Sequence, residues 1–209
     1  MFIAFDGADG CGKSTQVQLL YRHFSEIGQK VTVLDMGDSP YFKEYLLAIK
    51  ERKLTVAKEV RELLYYFEGV HKNLNIIQKK QEKEVVITDR YYLSYLAYGY
   101  LNGLPYDEIN FYIMNLIEPD CYFYLDVTPQ ICMERIKRYR DFDFPEIGQL
   151  ETSEHDGDRF LLFQSAVRKQ YLQLIDDRHI KLDASLPVDV VYKNVLNAIE
   201  SIERKSCGE

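Results

Sequence analysis

Short apolar runs alternate along the chain with longer stretches in which apolar residues recur every three or four positions. The runs predict five strands, at Phe2–Asp6, Lys30–Asp35, Val85–Thr88, Cys121–Asp126 and His179–Leu182. Because helical stretches separate these runs, we expect an α/β fold in which a five-stranded parallel sheet carries helices on both faces. In such sheets, ligands bind beyond the carboxyl ends of the strands.

The periodic stretches predict eight helices. They are Lys13–Ile27, Tyr41–Arg52, 56–80, Leu93–Leu101, Asp107–Ile117, Pro129–Tyr139, Phe160–Ile175 and Val188–Ile202. The third helix carries a long apolar stripe, with Val60, Leu63, Leu64, Phe67, Leu74 and Ile77. A stripe of this kind indicates either a core face or an interface between two copies of the chain.

A glycine-rich segment follows the first strand directly. Residues 7–15 read G-A-D-G-C-G-K-S-T and fit the pattern G-x-x-x-x-G-K-[ST]. Glycines let successive backbone N–H groups turn toward phosphate oxygens, and the start of the helix adds its positive end. Lys13 is expected to reach the β- and γ-phosphates, and the Ser14 hydroxyl to bind Mg²⁺. The segment thus predicts a P-loop NTPase fold that binds a nucleoside triphosphate through Gly7, Asp9, Gly10, Gly12, Lys13, Ser14 and Thr15.

A second pair of polar residues, Asp89 and Arg90, follows the third predicted strand. A carboxylate at this position can hold Mg²⁺ or its water shell, and the arginine beside it can bind a phosphate through its forked donors. An ion pair at the end of a strand is the alternative interpretation. Because the P-loop lies at the same edge of the sheet, we favour a second phosphate site.

Basic residues cluster near the end of the sixth predicted helix, at Arg135, Lys137, Arg138 and Arg140. Some of them can simply complement the helix dipole. The acidic segment that follows has little pattern, which is typical of an exposed loop or of a lid over a nucleotide. We predict a lid over residues 138–158 within a single domain spanning residues 1–209. Arg138 and Arg140 are expected to bring positive charge to a transferring phosphoryl group.

Composition narrows the partners and the compartment. The 209 residues carry a net charge of −7, which disfavours binding to a nucleic-acid polymer. No apolar run has membrane-spanning length, and the N-terminus lacks the features of a signal peptide. The four cysteines are scattered without a C-x-x-C pair. This spacing favours a reducing cytoplasm over a disulfide framework or a zinc site.

Taken together, these segments resemble the thymidylate kinase family of P-loop nucleoside monophosphate kinases. The resemblance includes residues 2–16, the segment D-R-Y-x-x-S-x-x-A-Y at 89–98, and E-P-D followed by Y-L-D-V and E-R-I between 118 and 136. Arg168 and Tyr171 resemble the helix after the lid. The resemblance implies a doubly wound fold, ATP and Mg²⁺ as cofactors, a homodimer, and phosphorylation of a deoxynucleoside 5′-monophosphate.

The resemblance also implies roles for individual residues. Asp9 would bind the sugar 3′-hydroxyl, and Arg90 the acceptor phosphate. Tyr98 would press on the sugar where a 2′-hydroxyl would lie, and Lys13 would bridge the donor and acceptor phosphates. Arg138 and Arg140 would neutralise the transferring group, and Ser94 belongs to the matched substrate-binding segment.

The chain departs from the family where the base binds. The family has an aromatic residue that stacks on thymine, expected here at Tyr65, and an arginine four residues later that donates to a base carbonyl. That position falls on Glu68 or Gly69. A carboxylate accepts hydrogen bonds, so Glu68 would suit a base with an exocyclic amino group. Tyr95 replaces a small or polar residue and would narrow the pocket.

Other interpretations of this region stay open. Glu68 can also lie on a solvated helix face, and Arg61 or His71 can take over the role of the arginine.

Three functions follow from these observations. The first is phosphorylation of dTMP to dTDP, and the second is phosphorylation of a different or amino-bearing pyrimidine nucleotide. The third is a nucleotide-dependent switch without a small-molecule acceptor. A GTP switch normally carries an N-K-x-D base reader, which the sequence lacks. We therefore favour the kinases.

Overall fold

The computed structural model describes residues 1–36, 40–51, 57–143, 146 and 155–207. Five strands form one sheet in which every neighbouring pair is parallel, in the order β2-β3-β1-β4-β5. The strands are β1 (Phe2–Gly7), β2 (Val31–Leu34), β3 (Val85–Asp89), β4 (Cys121–Asp126) and β5 (His179–Asp183). The predicted five-stranded parallel sheet is confirmed.

Eight helices connect and flank the strands in the described part of the chain. They are α1 (Lys13–Glu26), α2 (Pro40–Lys50), α3 (Lys58–Gln81), α4 (Tyr92–Leu101), α5 (Tyr106–Ile113), α6 (Pro129–Lys137), α7 (Asp156–Leu174) and α8 (Val188–Cys207). None of these described helices has the length and apolar character needed to cross a bilayer.

Alternate residues of the central strand supply two separate cores. Ile3 and Phe5 pack with apolar residues of α1, α6 and α8, whereas Phe2 and Ala4 pack with residues of α3, α4 and α7. Successive side chains of a strand point to opposite faces, so this division confirms that helices cover both faces of the sheet. All of β1 is buried, as expected of a central parallel strand.

Several helix boundaries differ from the prediction, and two of these differences have a clear physical cause. α5 ends at Ile113, four residues before the predicted end, because the next turn makes tertiary contacts instead. There the Ile117 backbone N–H donates to Asn73 Oδ1 at 2.8 Å, which draws the chain away from the helix axis.

The second difference concerns the predicted lid. α7 begins at Asp156, so residues 156–158 belong to a helix rather than to the lid. Asp156 and Asp158 lie in its first turn, where negative charge is favourable near the helix N-terminus. The remaining prediction falls largely outside the described residues, at positions 144, 145 and 147–154.

The parallel register brings three loops to one edge of the sheet. Phe5 pairs with Asp89 of β3, and Gly7 pairs with Leu125 of β4. The glycine-rich turn therefore leaves β1 between the ends of β3 and β4. This edge is where the predicted site residues meet.

Candidate functional site

A cavity of about 690 Å³ opens at the carboxyl edge of the sheet. It brings together most of the residues that the sequence predicts for the site. These are Asp9, Gly10, Gly12, Lys13, Ser14, Thr15, Tyr65, Asp89, Arg90, Ser94, Tyr95, Tyr98, Arg138 and Arg140. Gly7 and Glu68 are the two predicted residues that do not line it.

The glycine-rich turn is tight because other backbone lies close to it. Gly10 has a φ of +81°, and a Cβ atom there would come within 2.8 Å of the Cys132 carbonyl oxygen of α6. Only glycine satisfies both constraints. Lys13, the first residue of α1, extends across the turn. Its Nζ donates to the carbonyl oxygens of Gly7 at 3.1 Å and Ala8 at 3.0 Å.

A hydroxyl and a carboxylate meet beside this turn. Ser14 Oγ donates to Asp89 Oδ2 at 2.6 Å, joining α1 to the end of β3. Both residues line the cavity. A hydroxyl and a carboxylate oxygen next to a glycine-rich turn are of the chemical type that Mg²⁺ prefers as ligands. The described residues contain no cluster of three or more His, Cys, Asp or Glu side chains that would hold a metal alone.

Arg90 lies beside the turn, directly after Asp89. Its backbone has a φ of 69°, which is unusual for a residue with a side chain. Its guanidinium pairs with Asp9 and donates to the Gly7 carbonyl oxygen at 3.1 Å. The same guanidinium lies 5.5 Å from the ring centre of Tyr98. Arg90 is thus fixed against the glycine-rich turn in the wall of the cavity.

Asp9 is held from three directions. One carboxylate oxygen pairs with Arg90, and the other accepts from the Tyr98 hydroxyl at 3.2 Å and from Gln164 Nε2 at 3.1 Å. Burial favours the neutral acid, but the charges of Arg90 and Lys13 outweigh it, so the pKa of Asp9 is lowered from its usual value. Asp9 is therefore ionised at neutral pH.

Sequence reasoning missed Gln164. Its side chain on α7 is fully buried, accepts from the Asp9 backbone N–H at 3.2 Å and donates to the Glu146 carbonyl oxygen at 3.0 Å. The signal lay in the helical pattern. Gln164 is the polar member of an otherwise apolar buried stripe formed by Phe160, Phe163, Val167 and Tyr171.

The far part of the cavity is lined by one face of α3. Arg61, Glu62 and Tyr65 all line it. Burial raises the pKa of Tyr65 to about 12, so its hydroxyl is neutral at neutral pH. Arg61 Nε and Nη2 each lie 3.0 Å from Glu62 Oε1.

Glu68 is not where the sequence predicted it. It is buried and absent from the cavity wall, so neither a base contact nor a solvated helix face describes it. The next residue, Gly69, packs closely against Tyr95 of α4. A Cβ atom on Gly69 would lie 2.5 Å from Cε2 of Tyr95, so the tyrosine ring fills the space that a longer side chain at position 69 would need. The Tyr95 ring therefore occupies space beside Gly69 at the cavity wall; that it narrows a base pocket stays a prediction.

Comparisons with known proteins identify the family of the chain. The model of the thymidylate kinase family matches residues 5–195, which covers the glycine-rich turn, Asp89-Arg90, the end of β1 and the other four strands. The chain belongs to the thymidylate kinase family.

Individual relatives match over almost the whole chain. A thymidylate kinase of Chlorobaculum parvum is 32% identical over 221 residues, covering 100% of both chains. A thymidylate kinase of Buchnera aphidicola is 34% identical over 201 residues, covering 91% of this chain and 90% of the relative. A probable thymidylate kinase of Archaeoglobus fulgidus is 32% identical and covers 96% of this chain.

The basic cluster of this thymidylate kinase family member divides into different surroundings. Arg135 donates to the backbone carbonyl oxygens of Cys11 at 3.2 Å and Ala184 at 2.8 Å, and so supports the glycine-rich turn. Arg138 lines the cavity. Arg140 also lines it and forms a forked pair with Glu146, at 2.8 and 2.5 Å. All three arginines line the cavity, and Arg135 also supports the glycine-rich turn.

The contact between Gly69 and Tyr95 predicts a large effect of a single methyl group. Gly69→Ala should lower the free energy of unfolding by about 1–3 kcal/mol, because an aromatic ring and a helix backbone cannot both shift freely in a packed wall. The measurement is chemical denaturation followed by circular dichroism.

Gly157→Ala is the matched control. Its methyl group would meet Lys137 Nζ at 3.4 Å, an ordinary contact, and the exchange in a helix should be neutral or stabilising by about 0.5–1 kcal/mol. Equal stability of the two variants would contradict the packing described for Tyr95.

Proposed function

We propose that this protein transfers the γ-phosphoryl group of ATP to the 5′-phosphate of dTMP, giving dTDP and ADP. Membership of the thymidylate kinase family supports this activity. The structural observation that carries it is that Lys13 Nζ and Arg90 Nη1 both donate to the Gly7 carbonyl oxygen, each at 3.1 Å. Two cations within two hydrogen-bond lengths of each other suit two phosphorylated molecules that meet end to end.

The chain supplies positioning and charge rather than a covalent intermediate. An oxygen of the acceptor phosphate attacks the γ-phosphorus of ATP, and the bond from that phosphorus to the β–γ bridging oxygen breaks as ADP leaves. Lys13 stabilises the negative charge between donor and acceptor. Arg90 aligns the acceptor phosphate through its forked donors, which lysine cannot reproduce. Arg138 and Arg140 add positive charge from the opposite wall of the cavity.

Ser14 and Asp89 fit a magnesium ion by the chemistry of their oxygens and by their contact at 2.6 Å. When bound there, Mg²⁺ would neutralise phosphate oxygens of the donor nucleotide. The two residues keep their places without the ion, since each supports the other through a hydrogen bond.

The acceptor nucleotide is proposed to lie with its sugar against Asp9 and Tyr98 and its base against Tyr65. All of these side chains line the same cavity, and Tyr65 lies on α3, away from the glycine-rich turn in the chain. Asp9 is ionised and accepts a hydrogen bond from the 3′-hydroxyl. The Tyr98 ring is fixed by its hydroxyl contact to Asp9 and leaves no room for a 2′-hydroxyl.

Arg61 is proposed to read the base. It lies one helical turn before Tyr65 on the same face of α3, and its guanidinium has further donors beyond the two directed at Glu62. A donor at the base edge suits a carbonyl oxygen, as thymine presents. The amino-bearing alternative rested on Glu68, which does not line the cavity. The position of Arg61 therefore favours dTMP.

The protein is proposed to act as a homodimer through α3. Val60, Phe67 and Leu74 recur every seven residues on this helix and are exposed, the last two by 60% and 61%. Apolar side chains at this spacing form one continuous stripe, which is costly to leave in water. The sequence left open whether the stripe of α3 faces the core, and the exposure of these members supports an interface.

A reducing compartment fits the cysteines. Cys11, Cys121 and Cys132 are buried and free in the described part of the chain. This state supports the proposal of a cytoplasmic enzyme acting on small nucleotides.

Lys13→Met tests the transfer step. The variant should lower kcat by about a hundredfold or more, because a positive group between the two phosphates is lost. The measurement is ADP release in a coupled assay with ATP and dTMP. Lys193→Met, on the exposed side of α8, is the control and should keep the activity of the unmodified protein. Full turnover by the Lys13 variant would remove the mechanism.

Arg61→Met tests base recognition. The KM for dTMP should rise about tenfold to a hundredfold, since a hydrogen bond from a charged donor contributes about 1.5–3 kcal/mol. Because this change leaves Glu62 buried without its cation, the pair Arg61→Met with Glu62→Gln is measured as well. Measuring a panel of nucleoside monophosphates distinguishes dTMP from an amino-bearing pyrimidine nucleotide as the preferred acceptor. A raised KM for Glu68→Gln, with the Arg61 variants unaffected, would favour the amino-bearing acceptor instead.

Phe67→Glu combined with Leu74→Glu tests the dimer. Size-exclusion chromatography with light scattering should give twice the mass of one chain for the unmodified protein and a single chain for the variant, because buried charges oppose association. Leu162→Glu, on the exposed side of α7, is the control and should remain dimeric. A dimeric double variant would place the interface elsewhere.

A further inference from the structure

Asp6, the penultimate residue of β1, is an acidic side chain that the mechanism above leaves unused. It is fully buried and does not line the cavity. Burying an ionised carboxylate costs free energy unless its oxygens accept hydrogen bonds or pair with a cation. Its contacts lead directly to the guanidinium that is proposed to hold the acceptor phosphate.

Asp6 accepts three hydrogen bonds from three parts of the fold. Oδ2 accepts from the Tyr91 backbone N–H at 3.1 Å and from the Tyr122 hydroxyl of β4. Oδ1 accepts from the Ser94 hydroxyl of α4. The first of these bonds fixes the peptide that follows Arg90, and the last fixes a hydroxyl that Arg90 contacts.

The Ser94 oxygen is shared. It lies 2.7 Å from the Tyr171 hydroxyl of α7, and Arg90 Nη1 donates to Ser94 at 3.2 Å and to Tyr171 at 3.3 Å. Asp6, Ser94, Tyr171 and Arg90 therefore form one buried relay. The Asp6 relay, as we call these four residues, runs from the centre of the sheet to the cavity wall.

When Asp6 is ionised, the donor and the acceptor of each hydrogen bond in the relay are fixed. A carboxylate has no proton to donate, so Ser94 must donate to it. The Ser94 oxygen then accepts from Tyr171 and from Arg90, and the Tyr171 oxygen keeps lone pairs for Arg90. If Asp6 carried a proton, it would be able to donate to Ser94 and turn the serine proton toward the guanidinium. Arg90 would lose an acceptor and gain a repulsive contact.

We propose that Asp6 is the positioning residue for the acceptor phosphate, because its carboxylate orients the hydroxyls of Ser94 and Tyr171 that hold the Arg90 guanidinium. The proposal rests on the proposed function, since it takes Arg90 as the group that binds the acceptor. Asp6 also holds the backbone of Arg90 in its unusual conformation through the Tyr91 N–H. The acceptor arginine is thus fixed at both ends by one carboxylate.

The charge state of Asp6 can change near neutral pH. Burial raises its pKa to about 6, although hydrogen bonds from Ser94 and Tyr122 and the charge of Arg90 act in the opposite direction. The other groups whose charges bear on it are phenols, whose pKa values lie well above the usual range, so they stay neutral. They are Tyr91 and Tyr95 of the segment after β3, Tyr122 of β4 and Tyr171 of α7.

Because the pKa of Asp6 is raised, the stability of the folded protein depends on pH through this residue. A native-state pKa above the usual 3.8 means that the folded protein binds this proton more tightly than the unfolded chain. The contribution of Asp6 to stability is therefore largest at low pH and is lost as the pH rises through about 6. At working pH the ionised side chain opposes folding, which is the pattern expected of a group kept for function.

Asp6→Asn tests the proposal with the KM for dTMP and the KM for ATP measured between about pH 5 and about pH 8. The acceptor phosphate itself titrates near pH 6, so the readout is the ratio of the variant's acceptor KM to that of the unmodified protein, in which this effect cancels. We expect a ratio of about ten or more at pH 8 that falls toward one at pH 5, because a protonated Asp6 resembles the amide. The KM for ATP should change less than twofold.

Tyr122→Phe is the matched control. It removes another hydrogen bond to the same carboxylate, but one that does not lead to Arg90. Its acceptor KM at pH 8 should stay near that of the unmodified protein. Thermal unfolding followed by circular dichroism verifies that each variant is folded.

Several results would overturn the proposal. They are an Asp6→Asn acceptor KM within twofold of the unmodified value at pH 8, a ratio that does not change with pH, or equal rises in both KM values. If Asp6→Asn does not fold, Ser94→Ala carries the test, since it cuts the relay and must raise the acceptor KM at pH 8. An unmodified protein without dTMP kinase activity would instead contradict the proposed function.

Discussion

The site depends on the parallel pairing of β1 with β3. This register sets the end of one strand beside the end of the other, so the glycine-rich turn and the Asp89-Arg90 segment emerge as neighbours. Lys13 and Arg90 then share a single carbonyl oxygen of Gly7. Two cations held so close repel each other, and the backbone dipole between them together with the Asp9 carboxylate offsets that repulsion.

Three of the arginines that line the cavity are paired with carboxylates. Asp9 pairs with Arg90, Glu62 with Arg61, and Glu146 with Arg140. Pairing keeps each guanidinium in a fixed position without leaving a buried charge uncompensated. A phosphate that binds as proposed would add to or replace these carboxylates, so that one anion takes the place of another.

Where α3 and α4 meet beside the cavity, two residues depart together from the family pattern. Gly69 leaves space on α3, and Tyr95 from α4 fills that space with its ring. The hydroxyl of Tyr95 is buried and has no hydrogen-bond partner among the described residues, although its side chain lines the cavity. Arg61 supplies a guanidinium to the same wall from the preceding turn of the helix. In the family pattern an arginine follows the aromatic residue by four positions. In this chain Arg61 precedes the aromatic residue, Tyr65, by four positions instead.

The sequence by itself determined the sheet, its parallel sense, the glycine-rich turn and the pairing of that turn with Asp89-Arg90, because hydrophobic period and local motifs encode these features. It did not determine Gln164, the Asp6 relay or the true place of Glu68. These depend on which side chains from distant helices meet: Tyr171 and Gln164 lie seventy or more residues beyond Arg90 and Ser94 in the chain. Only the packing of α4 and α7 over the sheet brings such residues within hydrogen-bond distance, since side-chain contacts of long sequence separation leave no periodic trace.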